Sequence, residues 1–247
     1  MGTNFASAFD IRYTTEGGRE KLCHTTSWGM STRMIGGIVM THGDDKGLVL
    51  PPRLAPYQVV IVPITRGGTP AVEDAAEDLA RRLRTAGVRT HVDARPHLTP
   101  GYKYNEWELR GVPVRLELGP RDLKAGTAMM VKRLGDDGKQ AVPIDSLPDT
   151  LPGVLDDFQD FLLARATAFR DSHTRTVDDW EQFADAVSTG WALALHCGSA
   201  TCEEGIKSRT AATPRCVPRD GEPEAGVCVR CGAASAYGKR VVFGRAY

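Results

Sequence analysis

The sequence predicts a multi-domain protein of mixed α/β and α+β class, and three observations carry that prediction. Residues 57–64 (YQVVIVPI) form a nearly continuous apolar, β-branched run, followed by a helical repeat and a second strand-like run. That pattern marks a β-α-β unit whose first strand is covered on both faces. Ahead of it, residues 51–56 (PPRLAP) make a stiff connector hostile to helix. Five of the six cysteines, Cys197, Cys202, Cys216, Cys228 and Cys231, fall in the last quarter of the chain, which therefore has a chemistry of its own. The expected division is 1–55, 56–150 and 151–247.

In order along the chain, residues 1–55 hold too few elements to close a core alone. Residues 9–13 (FDIRY) alternate as a strand does and TTEGGREK is a turn. Residues 36–40 (GGIVM) read as a buried helix or strand opened by small residues, with Arg33 just ahead. An arginine facing a cleft there is a fixed cation with a planar fork suited to phosphate.

After the connector, Thr69 and Pro70 offer an N-cap and an N1 proline. Val72, Ala75, Ala76, Leu79, Leu83 and Ala86 follow at helical spacing, and Gly87 ends the helix. Residues 88–94 are the next strand, 112–118 alternate as a half-exposed strand, and 128–134 form a further one, with Asp136, Asp137, Gly138 and Lys139 as a hairpin-like turn. Residues 99–111 (TPGYKYNEWELRG) set Tyr102, Tyr104 and Trp107 among Lys103, Asn105, Glu106, Glu108 and Arg110. Rings interleaved with hydrogen-bonding groups suit splayed-out RNA bases, stacked on ring faces and read at their edges. The same spacing fits an amphipathic helix whose rings pack inward; Trp107 is assigned to packing and Tyr104 to the surface.

From Pro152 onward, Val154, Leu155, Phe158, Phe161, Leu162 and Phe169 are spaced for one long amphipathic helix. Thr176 is a candidate N-cap for a shorter helix with Phe183, Ala184 and Val187 on its apolar face. Residues 190–196 read as a strand leading into the first cysteine of two chelating pairs, Cys197-x4-Cys202 and Cys228-x2-Cys231. Four thiolates so paired make a closed tetrahedral zinc site with a structural role, because zinc catalysis needs an open position. Cys216 and His196 are competing ligands. A metal-free reading leaves five thiols in a polar segment without apolar cover.

The 31 basic and 31 acidic side chains cancel, so bulk charge does not announce a nucleic-acid binder and any RNA contact must come from a local patch. No run approaches the roughly 18 apolar residues of a membrane span. The start MGTNFASAFD lacks the layout of a signal peptide, which makes a cytoplasmic protein the default expectation.

Three strings, in order, resemble one family. The residues SWG (27–29), STR (31–33) and HGDDKGLVLPP (42–52) closely resemble motif 3 of the class II aminoacyl-tRNA synthetases, in the form seen in prolyl-tRNA synthetases of the archaeal and eukaryotic-like type. GYKYNEWELRGVPVRLELGPRDL (101–123) resembles the anticodon-binding domain of the same enzymes, and the cysteine pattern resembles their C-terminal zinc-binding domain. The resemblance implies a remnant of the class II antiparallel catalytic sheet, then an α/β anticodon-binding domain with a mixed sheet, then a linker helix and a small α+β zinc domain.

For single residues it implies that Arg33 lies against the phosphates and adenine of ATP, that Ser31 touches the nucleotide, and that Trp28 borders the proline pocket. Tyr104 would stack on an anticodon base, Glu108 and Arg115 would read guanine edges, and Lys103, Arg121 and Lys124 would sit near phosphates. Cys197, Cys202, Cys228 and Cys231 would hold zinc, with Cys216 a non-ligand, and Tyr247 would reach back towards the catalytic domain. The intact family, expected to be homodimeric, activates proline with ATP and Mg and transfers it to tRNA(Pro). Motifs 1 and 2 and a Thr-Ser-His signature are expected upstream of residue 1. The alternatives are a stand-alone tRNA-binding module without catalysis and a zinc-stapled α/β protein of unrelated function.

Overall fold

A computed structural model describes residues 1–65, 70–135 and 138–245. The Thr69 cap, Asp136 and Asp137 of the predicted turn, and the terminal Tyr247 lie outside the described residues. The chain forms two compact units, Met1–Leu155 and Asp156–Tyr247.

The first unit opens with helix α1 (Asn4–Phe9) and a hairpin of β1 (Arg12–Thr14) and β2 (Glu20–Leu22). The strand read at 9–13 therefore starts three residues late. Asp10 adopts a left-handed conformation (φ 53°) and its N–H caps α1 on the Ala6 carbonyl, a geometry that aspartate tolerates better than most residues. Helix α2 (Arg33–His42) settles the ambiguity at 36–40 in favour of helix, but it buries no residue, contrary to expectation. Trp28, Met30, Met34, Ile35 and Met40 are all exposed. Most of the large apolar side chains of 25–43 thus lack cover within this unit.

A five-stranded mixed sheet follows, built from β3 (Val59–Pro63), helix α3 (Pro70–Thr85), β4 (Thr90–Val92), helix α4 (Pro100–Leu109), β5 (Val114–Leu118), helix α5 (Pro120–Ala125), β6 (Thr127–Lys132) and β7 (Lys139–Pro143). Its order is β4-β3-β5-β6-β7, parallel among the first three strands and antiparallel among the last three. Side chains alternate across a strand, and here the alternation builds two cores. Val59 and Ile61 of β3 with Val114, Leu116 and Leu118 of β5 pack on Val72, Ala76, Leu79 and Leu83 of α3. Val60 and Val62 face the other way, onto Trp107 and Tyr104 of α4. Strand β5 was expected to be half exposed; it is buried along nearly its whole length because α3 covers the face of Val114, Leu116 and Leu118 and α4 covers the face of Arg115 and Glu117.

Helix α6 (Leu147–Ser172) begins five residues before the predicted start and carries Pro152 in its first turns, and the division between the units falls within it. The second unit continues with β8 (Thr174–Thr176), α7 (Trp180–Thr189), β9 (Trp191–Ala194), α8 (Ala200–Thr210), β10 (Ala212–Cys216) and β11 (Val241–Arg245). Its sheet order is β10-β11-β9-β8. Thr176 ends β8 rather than capping α7; the cap is Asp179, whose side chain accepts the Gln182 N–H at 2.8 Å. Phe183, Ala186 and Val187 of α7 pack with Ile206 of α8 and Phe243 of β11. No helix among the described residues is long and apolar enough to cross a membrane.

Candidate nucleic-acid interface and metal centre

Helix α4 starts cleanly: Thr99 Oγ1 accepts the Tyr102 N–H and Pro100 occupies the first turn. Residues four apart share a helix face, so Tyr104 and Glu108 stand together. Alternation along β5 turns Arg115 and Glu117 to the same side of the sheet. The Arg115 guanidinium lies 4.3 Å from the centre of the Tyr104 ring, while its Nε and Nη2 donate to Glu117 Oε1 at 3.2 and 3.1 Å. Lys139 Nζ donates to Glu117 Oε2 at 2.6 Å and sits 5.2 Å over the same ring.

A carboxylate only 3% exposed thus holds two cations beneath a tyrosine. Burial, reinforced by the Glu117 carboxylate, pushes the Tyr104 phenol well above its ordinary value. Tyr104, Asn105, Glu108, Arg115, Lys132 and Lys139 line a cavity of about 230 Å³. It offers what an RNA base needs: an aromatic ring, a carboxylate that accepts, an amide, and cations.

Glu117, Lys132 and Lys139 were missed from the sequence. The 115/117 alternation was the available signal for Glu117. Lys103 corrects the phosphate reading. It is 4% exposed and its Nζ donates to the Asp93 carbonyl at 2.9 Å, so it faces the protein interior. Arg121 and Lys124 are exposed on α5. Trp107 is buried, with its indole N–H on Asp93 Oδ2 at 2.8 Å.

In the segment before the sheet, Arg33 is the first residue of α2 and is exposed rather than sealed in apolar packing. Its N–H donates to Ser31 Oγ at 3.3 Å. Trp28 is 93% exposed, so no contact in this unit shapes a pocket around it.

The second unit gathers the cysteines. Cys197 follows β9, Cys202 lies in the first turn of α8, and Cys228 opens a turn closed by the Gly232 N–H on its own carbonyl. Sulfurs of Cys202 and Cys228 are 3.6 Å apart, as are those of Cys197 and Cys231. With metal–sulfur bonds of about 2.3 Å, a tetrahedral site requires edges of about 3.8 Å, so these spacings fit. Ligand atoms of His196, Cys197, Cys202 and Cys228 all lie within 4.8 Å of one another, and the group could hold a metal ion.

Burial raises the Cys202 and Cys197 thiols. Burial also works against the Cys228 thiolate, but backbone N–H groups of Arg230, Cys231 and Cys197 outweigh it and bring that thiol down to about 7. His196 is 2% exposed, its Nδ1 accepts the Gly198 N–H at 3.2 Å, and its Nε2 has no protein partner. Cys216 is exposed on β10, outside this group.

Comparison with known proteins covers both sites. Residues 58–153 match the anticodon binding domain family, and residues 180–247 match the family of the prolyl-tRNA synthetase C-terminal domain. The chain is 85% identical over 247 residues to proline-tRNA ligase 2 of Rhodococcus jostii, and 47% identical over 254 residues to the proline-tRNA ligase of Deinococcus radiodurans. All of this chain aligns, but it spans only 52% and 51% of those proteins. A crystal structure of prolyl-tRNA synthetase from Cryptosporidium parvum, complexed with L-proline and AMP, superposes with a TM-score of 0.89 at 37% identity, over all of this chain and 52% of that one.

Proposed function

Because this chain belongs to the prolyl-tRNA synthetase family, matching its C-terminal portion, we propose that it serves a proline-tRNA ligase as the part that reads the anticodon and carries one wall of the nucleotide site. The observation that carries this reading is the cavity between α4 and β5, lined by Tyr104, Glu108 and Arg115, with Arg115 held by the Glu117 carboxylate. Glu108 accepts from the N1–H and N2 amino groups of a guanine, Arg115 donates to base acceptors, and Tyr104 supplies the stacking ring. Lys132 and Lys139 take the place of Lys103 as cations near the RNA backbone.

In the intact ligase, Arg33 and Ser31 contact ATP, whose triphosphate Mg accompanies, and Trp28 borders the proline site; the uncovered apolar side chains of 25–43 support a docking of this segment onto further catalytic structure. A homodimer and a division of the chain at 1–55, 56–150 and 151–247 belong to the same proposal. The donor set favours zinc as the ion in the second unit, held by Cys197, Cys202 and Cys228 with Cys231 as the fourth thiolate, and His196 as the competing neighbour. Such an ion would fix the fold of the unit and take no part in catalysis.

The test is binding of a tRNA(Pro) anticodon stem-loop to this chain and to Glu108→Gln. The variant is expected to lose roughly 1–3 kcal/mol, about tenfold in affinity or more, with the slope against salt unchanged, because a base contact and not a phosphate contact has gone. Equal affinities would remove Glu108 from the reading surface.

A further inference from the structure

Arg133, one residue past the end of β6, is almost wholly enclosed, with 2% of its side chain exposed, and its donors go to three places. Nη1 and Nη2 grip the two oxygens of Asp44 at 2.9 and 2.5 Å, and Nε donates to the carbonyls of Leu48 and Glu108, each at 3.0 Å. Asp44 stands one residue beyond the Gly43 cap of α2 and shapes a tight turn, accepting the Lys46 N–H at 2.9 Å while its backbone pairs with Gly47. The same segment is stitched to the end of α4 by Leu48 N–H on Leu109 O (2.9 Å) and Leu50 N–H on Gly111 O (3.1 Å). Lys46 Nζ comes 3.5 Å from Glu108 Oε1. A bidentate guanidinium-carboxylate pair fixes orientation as well as distance.

We propose that Arg133 is a positioning residue that fastens the 44–50 turn to α4, so that α4 with Tyr104 and Glu108 and α2 with Arg33 respond to RNA as one body. The inference rests on the anticodon reading of the α4 cavity. A guanine drawn onto Glu108 competes with Lys46 for its carboxylate, and the fork carries the resulting shift of α4 to a turn only one residue from the helix that begins with Arg33. Arg133 need not touch RNA for this.

Amide hydrogen exchange on the whole chain tests it, with the tRNA(Pro) anticodon stem-loop as probe. RNA should slow exchange in 100–111 and also, roughly fivefold or more, at the amides of Leu48 and Leu50. In Asp44→Asn, and in Arg133→Lys, which keeps the charge but loses the fork, the slowing in 100–111 should remain while that at Leu48 and Leu50 falls away. Protection confined to 100–111 in the unaltered chain overturns the fastening and leaves the anticodon reading standing. Full transmission in both variants overturns the role of the fork. Protection nowhere overturns the inference and the reading together.

Discussion

At the scale of single residues, the α4 surface depends on buried ionic groups that touch no ligand. Asp93, 1% exposed, accepts from Arg95 Nε and Nη2 at 2.8 and 2.7 Å and from the Trp107 indole at 2.8 Å. Burial, the largest influence, disfavours its charge, but Arg95, Trp107 and the nearby Lys103 ammonium outweigh it and hold the carboxyl well below its ordinary range. A carboxyl whose folded value is depressed stabilises the fold above its unfolded value and loses that contribution as pH falls through the folded one. Asp93→Asn should therefore cost roughly 2–4 kcal/mol near neutrality, measured by urea unfolding, and the gap to the parent chain should narrow below about pH 4. Asp93 could not be picked out from the sequence, because nothing in the order of residues shows that positions 93, 95, 103, 106 and 107 meet. Lys103 was misassigned for the same reason: a lysine between two tyrosines reads as surface until the strand-end carbonyl that receives it is known.

At the scale of elements, legibility followed periodicity. Strand β3 and helix α3 were plain because one is apolar throughout and the other repeats every three to four residues. Strand β5 was misread because its alternating Arg115 and Glu117 look solvent-facing, whereas they are a mutually neutralising pair beneath α4. The start of α7 was misplaced because Thr176 and Asp179 are both good caps and only strand pairing of 174–176 excludes the first. The junction of the 44–50 segment with α4 rests on two glycines whose role is steric. At Gly111 (φ 72°) an added Cβ would lie 2.5 Å from the Leu48 carbonyl oxygen, and at Gly47 (φ 128°) 2.6 Å from the Leu109 Cα. Gly111→Ala should then destabilise the chain by about 2 kcal/mol or more, through both the left-handed strain and the clash. Hydrogen exchange at Leu48 and Leu50 should accelerate far more than exchange in β3. An unchanged Leu48 amide would mean that the junction is looser than its geometry implies.

At the scale of the whole molecule, the three family-bearing strings fall on distinct structural features: a largely uncovered helix, a sheet with a polar cavity of about 230 Å³ beside α4, and a converging set of thiols. The strings were legible because each packs several chemically demanding residues into a short span; the way β5 and β7 complete the α4 cavity was not, because it depends on the pairing of β5 with the distant β3 and on the register of the β6–β7 hairpin. The metal reading predicts that the chain as purified carries about one zinc and that a chelator at neutral pH lowers the unfolding temperature of residues 156–247 while leaving the five-stranded sheet of the first unit intact. A chain without bound metal and indifferent to chelator would leave the thiols as packing only.

The central claim is that the α4 cavity reads guanine in an anticodon. It is tested most directly by titrating the chain with a tRNA(Pro) anticodon stem-loop and with the same RNA in which each anticodon guanine in turn is replaced by inosine, which lacks only the exocyclic amino group. Loss of about tenfold in affinity at the one guanine that Glu108 reads, abolished in Glu108→Gln, is the predicted result, with little change where Arg115 meets only base acceptors that inosine keeps. Equal binding of the guanine and inosine RNAs would contradict it.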